Sequence, residues 1–230
     1  MASLSSIMTL WKKVSPLEED NRGTSQLCDG LEDELARAAE ALAGGEKKIV
    51  IIMTGFPCLL DHEPPTETDG PPGAVAIARA CIAFGHHVTI ITDEVNEEVV
   101  MAAVAGAGLP GSALSLESFP ANPNWDATAA TALAKLGERA GAVVAIERAG
   151  PGADGLYYTM KKRDMSDITA PLEDLLKAAG KDTATIGIGD GGNEVGMGKV
   201  YDKVVASEIP HAADIACTIS KSTLGSAQAQ

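Results

Sequence analysis

Aromatic residues make up only 3% of this 230-residue chain, and its 18 Lys and Arg are outnumbered by 32 Asp and Glu, for a formal net charge of -14. With so few aromatics, Ala, Val, Ile and Leu must fill the interior, which suits helices packed closely on a sheet better than a β-sandwich. The excess of acid argues against a nucleic-acid partner, because neutralising phosphates requires clustered basic residues. Cys28, Cys58, Cys81 and Cys217 form no Cys-x-x-Cys pair, which disfavours a zinc site or a disulfide framework and points to a reducing compartment. No apolar run approaches the roughly 20 residues that span a bilayer, so no membrane association is expected. His62, His86, His87 and His211 lack metal-binding spacing, and there is no Gly-x-Ser-x-Gly elbow.

What the chain does have is alternation. Lys47 to Met53 reads as a buried strand, Gly73 to Phe84 as an Ala-rich helix, His87 to Thr92 as a strand and Glu97 to Ala105 as a helix. A weaker strand follows at Ala113 to Phe119, then a helix from Trp125 to Ala140 capped by Asn124, and a buried strand at Ala142 to Ile146. Thr169 to Ala179 reads as a helix, Thr183 to Ile188 as a strand, Met197 to Ser207 as a helix and Asp214 to Ile219 as a last strand. Ahead of these, Leu31, Leu35, Ala38 and Leu42 share one helical face, with Asp29 and Glu32 forming a capping-box pattern. The expected architecture is α/β: a largely parallel sheet with helices on both faces, forming one domain over residues 28–220. A polar segment (1–27) precedes it and a polar tail (221–230) follows. Met1 to Val14 carries Ser and Lys without an acid, a faint transit-peptide pattern lacking Arg and a cleavage signal, which leaves mitochondrial matrix and cytoplasm both open.

Ligands of such sheets bind beyond the carboxyl ends of the strands. Three loops are expected to meet there: Thr54 to Gly73, Glu147 to Tyr158 and Gly189 to Lys199. The last contains Gly189-Asp190-Gly191-Gly192-Asn193-Glu194-Val195-Gly196-Met197-Gly198-Lys199, whose five glycines exceed what a helix cap requires. Its backbone amides attract anions while Asp190 and Glu194 repel them, which suits a ligand of mixed charge or a carboxylate-bound cation. In the first loop Glu67 and Asp69 sit among prolines, where neighbouring carboxylates can act as acid and base or recruit a cation. Arg148 offers a planar fork for a carboxylate, with an internal salt bridge as the competing role. Lys199 can meet a carboxylate or lie in solvent, and of Tyr157 and Tyr158 one is expected at the pocket. The first strand runs into Thr54-Gly55-Phe56-Pro57 rather than a glycine fingerprint, so no nicotinamide cofactor is expected. A haloacid-dehalogenase-like reading of the glycine turn fails for want of an early Asp-x-Asp.

Thr54-Gly55-Phe56-Pro57, Glu67-Thr68-Asp69-Gly70-Pro71, Ile146-Glu147-Arg148-Ala149-Gly150, Asp154-Gly155-x-Tyr157-Tyr158 and the glycine turn together resemble the D-glutamate cyclase family, over roughly Ile49 to Thr218. The resemblance implies a lyase that converts D-glutamate to 5-oxo-D-proline with loss of water, and in animals the matching domain belongs to a mitochondrial protein. On that basis Glu67, Asp69, Asp190 and Glu194 are the expected catalytic acids, and the metal ligands if a divalent cation takes part. Thr54, Gly55, Glu147, Arg148, Tyr158, Gly191, Gly192, Asn193 and Lys199 are the expected substrate contacts. Arg148 is expected on a substrate carboxylate and the Gly191-Gly192 amides on the oxyanion. The family pattern continues past Cys217 into a Ser-Asn-Trp-Gly motif and a further helix, where this chain has small polar residues, so a domain shortened at its C-terminus is expected. Two alternatives stand beside the lyase: a noncatalytic or partner-completed module binding a small acid, and a phosphate or nucleotide enzyme. Oligomeric state is open.

Overall fold

The uninterrupted β-branched runs form the middle of a five-stranded sheet. Its strands are β1 (Ile49–Gly55), β2 (His87–Asp93), β3 (Leu114–Phe119), β4 (Ala142–Arg148) and β5 (Ala184–Ile188), all parallel, in the order β3-β2-β1-β4-β5. The computed structural model describes residues 27, 28, 30, 31 and 33–219, so the expected capping residues Asp29 and Glu32 and most of the N-terminal segment and tail lie outside the described residues. Around the sheet run α1 (Glu34–Ala43), α2 (Pro71–Ala83), α3 (Glu97–Ala107), α4 (Ala127–Arg139) and the short α5 (Leu175–Ala178), α6 (Tyr201–Ala206) and α7 (Ala212–Ile215). No described helix is long and apolar enough to cross a membrane.

Side chains alternate across a strand, so a continuous apolar run means both faces are covered. Val50, Ile52, Ile90 and Val144 pack with Ala38 of α1 and Ala74 and Ala78 of α2, while Ile51, Met53, Ile91 and Val143 pack with Leu133 and Leu136 of α4 and Leu175 of α5. Each such Ile or Leu contributes about 1.5–3 kcal/mol on burial. The alanines bring α2 close to the sheet, which is how a core so poor in aromatics closes.

The chain steps outward from β1 to β2 and β3, then returns to the far side of β1 for β4 and β5. Its direction of winding therefore reverses between β1 and β4. The loops beyond those two strands leave toward opposite faces and open a crevice between them, the usual ligand position in such sheets.

Four local expectations are corrected. Asp126, not Asn124, caps α4, accepting hydrogen bonds from the amides of Thr128 and Ala129 at 2.8 Å each. The helix expected over Thr169 to Ala179 shrinks to a 3-10 turn (Leu172–Asp174) and α5, because Pro171 disfavours helical backbone at Ala170. Met197 to Ser207 divides into a 3-10 turn (Met197–Val200) and α6. Asp214 to Ile219 is not a strand: α7 ends at Ile215, and the next residues run extended with Cys217 donating its amide to Gly192 O (2.8 Å) and Gly198 donating to Ile219 O (3.2 Å).

Candidate functional site

The crevice holds a cavity of about 320 Å³ lined by the loop after β1 (including Cys58, Asp61, His62, Glu67 and Asp69), Glu147 at the end of β4, a hairpin tip (Thr159, Met160, Lys161, Arg163) and the glycine turn after β5 (Asp190, Gly191, Asn193, Glu194). All three loops expected from the sequence reach it.

Glu147 is the centre of the arrangement. Its φ of 43° is left-handed, a strained setting for a residue with a side chain. The strain persists because both neighbours along the chain are fixed: Ile146 packs in the core beneath α2, and Arg148 is locked below the pocket. Gly70, with φ 89°, presses against this corner, where a Cβ would fall 2.8 Å from Thr54 Oγ1 and 2.9 Å from the Glu147 Cβ. That close approach is what brings Asp69 up to the cavity. Burial pushes the Glu147 carboxyl up to about 9, and the charges of Glu194, Asp190, Asp69 and Glu67 add to the rise. Glu147 is therefore a protonated acid at neutral pH.

Glu194 is 3% exposed and its carboxylate is wrapped by its own turn. Oε1 accepts from the Gly191 amide at 2.7 Å and the Asp190 amide at 3.2 Å, and Oε2 accepts from the Gly192 amide at 2.7 Å. Burial raises its pKa above the usual carboxylate range against the pull of the Gly191 amide. The amides expected on an oxyanion are thus occupied by a side chain of the same loop, and the same holds for any phosphate expected there. The turn is zipped to β4's extension, with Val195 donating to Arg148 O (2.8 Å) and Gly150 to Asn193 O (2.9 Å). At Gly192, φ is 93° and a Cβ would lie 2.5 Å from Val204 Cγ1 of α6. Gly192→Ala is expected to cost about 2–4 kcal/mol in urea unfolding, combining a left-handed backbone with an overpacked contact; an unchanged midpoint would contradict this packing.

Carboxylate oxygens of Glu147, Asp190 and Glu194 lie within 4.8 Å of one another, a spacing that fits a hard divalent cation. Cys58 is a different matter. Burial and the adjacent Glu67 carboxylate, to which it hydrogen-bonds, push its thiol up to about 12, leaving it inert as a nucleophile.

Several expected contacts lie elsewhere. Arg148 is fully buried beneath the cavity, not in it: its guanidinium pairs with Asp93 through both nitrogens, Nη2 at 2.8 Å from Oδ1, and donates to Gly55 O (3.2 Å) and Ala170 O (2.6 Å). Asn96 donates to Asp93 Oδ2 (2.6 Å), and Thr66 in turn donates to Asn96, so the fork ties together the ends of β1, β2 and β4. The internal salt bridge is the role it fills. Thr54 and Gly55 belong to this lower layer, with Thr54 O accepting from Thr92 Oγ1 (2.8 Å). Lys199 is paired with Glu34 of α1 at 2.8 Å. Tyr158 directs its hydroxyl to Asp154 (2.6 Å), and Tyr157 donates to buried Glu173 (2.5 Å); neither ring lines the cavity. Tyr158 contributes its carbonyl instead, which accepts from Asn193 Nδ2 at 2.7 Å. The hairpin that supplies Lys161 and Arg163 is not among the loops expected at the site, although Lys161-Lys162-Arg163, three consecutive basic residues in so acidic a chain, marks it.

A doubly wound parallel α/β domain with an acid-floored cavity at its switch point is thus the class this chain represents. Residues 13–227 match the family described as D-glutamate cyclase-like, C-terminal, and the chain belongs to that family. It is 38% identical over 225 residues to the human protein named D-glutamate cyclase, mitochondrial; the match covers 88% of this chain and 33% of the human one, so the chain spans about a third of that relative's length.

Proposed function

We propose that this domain is a lyase that cyclises D-glutamate to 5-oxo-D-proline, releasing water. The observation that carries the reading is a protonated carboxyl, Glu147, held among carboxylates in a cavity sized for a small amino acid. Family membership and the human relative's name support it.

Closing the ring requires the amine nitrogen to attack the γ-carboxyl carbon. One C–N bond forms, and the C–O bond to the departing oxygen breaks. A negative γ-carboxylate resists attack, so Glu147 shares its proton with it and raises its electrophilicity. Glu67, Asp69 and Asp190 supply carboxylates that hold the ammonium and take its proton. The two protons shed by the amine are the two that leave with the oxygen as water, and the acids end as they began. Holding the folded substrate supplies much of the acceleration, because the attack is intramolecular.

One observation favours a second form of the same site. The cluster of Glu147, Asp190 and Glu194 would hold a divalent cation, which would supply Lewis-acid polarisation of the γ-carboxyl. An assay for 5-oxo-D-proline from D-glutamate, run with chelator and with added Mg²⁺ or Mn²⁺, tests the function and separates the two forms. Binding of D-glutamate without product identifies a noncatalytic module, and absence of both defeats the reading.

The pH dependence has a definite sign. With Glu147 acting as an acid, turnover declines as pH rises through about 9, where its proton is lost. A metal-free rate still rising above pH 10 would remove Glu147 from the acid role. The compartment implied is reducing, mitochondrial matrix or cytoplasm, in keeping with four cysteines that form no disulfide.

A further inference from the structure

D-Glutamate carries three charged groups, and the floor of the cavity answers two of them. Glu67, Asp69 and Asp190 line the floor and suit the ammonium, and Glu147 stands beside them where the proposed reaction puts the γ-carboxyl. The α-carboxylate, which takes no part in bond making, needs a cation. Arg148, the sequence's candidate, is engaged by Asp93 beneath the floor.

The remaining basic side chains sort themselves by partner. Arg163 is held bidentately by Asp61, at 2.5 and 3.0 Å, and Lys162 turns away to Asp214 at 2.9 Å. Lys199 is paired with Glu34. Among the described residues, Lys161 is the lysine or arginine of the cavity wall that makes no ion pair with a protein carboxylate, its charge being felt only at longer range by Asp61. His62, on the same wall, is likewise outside the ion pairs but is not a permanent cation.

Its placement is built into the fold. The hairpin closes with Thr159 donating its amide to Arg163 O (3.0 Å) and Lys162 donating to Thr159 O (2.9 Å), while Thr159 Oγ1 accepts from the amides of Lys161 (3.3 Å) and Arg163 (3.1 Å). Lys162 adopts φ 55°, which turns the chain sharply so that consecutive lysines diverge. The hairpin is fastened to the glycine turn by Asn193 Nδ2 on Tyr158 O, and by Met160 lying over Gly191, where a Cβ would be 2.8 Å from its Sδ. Lys161 is therefore set on a wall tied to the acidic floor.

We infer that Lys161 is the specificity-determining residue of the site, binding the substrate's non-reacting α-carboxylate. The inference rests on the cyclase reading and deepens it. An ammonium is a compact, strongly hydrated charge on a flexible stem, so Lys161 anchors the substrate without fixing the reacting atoms. The interaction is present equally in ground and transition states, and its loss falls on KM rather than kcat.

The test uses the whole chain, D-glutamate and its α-amide, which keeps the amine and γ-carboxyl but lacks the α-charge. Lys161→Ala is expected to raise KM for D-glutamate by about 10- to 100-fold, the value of a charge-assisted hydrogen bond, with kcat changed less than about threefold. The wild-type preference for D-glutamate over its α-amide should collapse in Lys161→Ala and persist in Lys161→Arg, while Lys162→Ala behaves as wild type. An unchanged KM and unchanged preference in Lys161→Ala, with wild-type turnover intact, overturns this inference and leaves the cyclase reading standing. If the wild type binds D-glutamate without turning it over, calorimetry decides: weakened binding in Lys161→Ala upholds the anchor, and equal binding overturns it. A wild type that neither binds nor converts D-glutamate overturns both.

Discussion

Glu147→Gln is expected to reduce cyclisation of D-glutamate by about 10²- to 10⁴-fold, the range of a positioned general acid, while leaving a folded and more stable protein. Glutamine keeps the shape of the protonated carboxyl and its capacity to donate a hydrogen bond, but has no proton to deliver. The stability gain follows from linkage. The folded-state pKa of Glu147, about 9, stands above the ordinary value of 4.5, so between those values the folded protein holds a proton that the unfolded chain has released. Wild-type stability is therefore greatest below about 4.5 with respect to this group, and its share is lost as pH rises through the folded value. A glutamine side chain does not titrate, so the variant should gain about 1–3 kcal/mol over wild type at pH 7 and little at pH 4. Denaturant unfolding at the two pH values checks the stability, and the 5-oxo-D-proline assay checks the rate. Retention of turnover within tenfold would remove Glu147 from the reaction.

Arg148→Met should be the most destabilising single change in the domain, at about 3–5 kcal/mol, because it leaves the Asp93 carboxylate buried without its cation. Both side chains are 0% exposed, so water cannot compensate. Asp93 would still accept from Asn96 and from the Ala170 amide at 2.6 Å each, but two neutral donors do not replace a guanidinium. The double variant Arg148→Met/Asp93→Leu should recover much of the loss, since removing both charges removes the penalty. Thermal unfolding of the single and double variants measures this coupling. A single variant as stable as wild type would mean that the fork does not join the three strand ends.

The sheet is legible because buried parallel strands write themselves as continuous runs, and β1, β2 and β4 do so, while the shorter edge strand β5 is marked by the glycine turn that ends it. The loops at the pocket are legible for a related reason: the glycine turn follows directly on β5, Glu147 stands at the end of β4, and Glu67 to Gly70 lie in the loop between β1 and α2. Assigning their side chains is harder. Asp93 lies 55 residues from Arg148, and nothing local to either announces the pair. Glycine amides next to a glutamate look the same in sequence whether they await a ligand or already hold Glu194. The helix expected at Thr169 to Ala179 fails at Pro171, a local signal that outweighs the apolar pattern around it. Lys161 escapes a sequence reading because an exposed basic run normally belongs to solvent, and it is the hairpin's fastening to Asn193 that sets it on the cavity wall.

The grip of the glycine turn on Glu194 has a consequence for how the site meets its substrate. A mobile glycine loop that closes around a ligand surrenders backbone entropy at each encounter, and binding weakens accordingly. Here three amides are already engaged by the Glu194 side chain, and the loop is settled during folding. Ordering on binding then falls on the small, flexible amino acid and not on the protein, so the domain should bind D-glutamate with little change in the amide hydrogen exchange of Asp190 to Glu194.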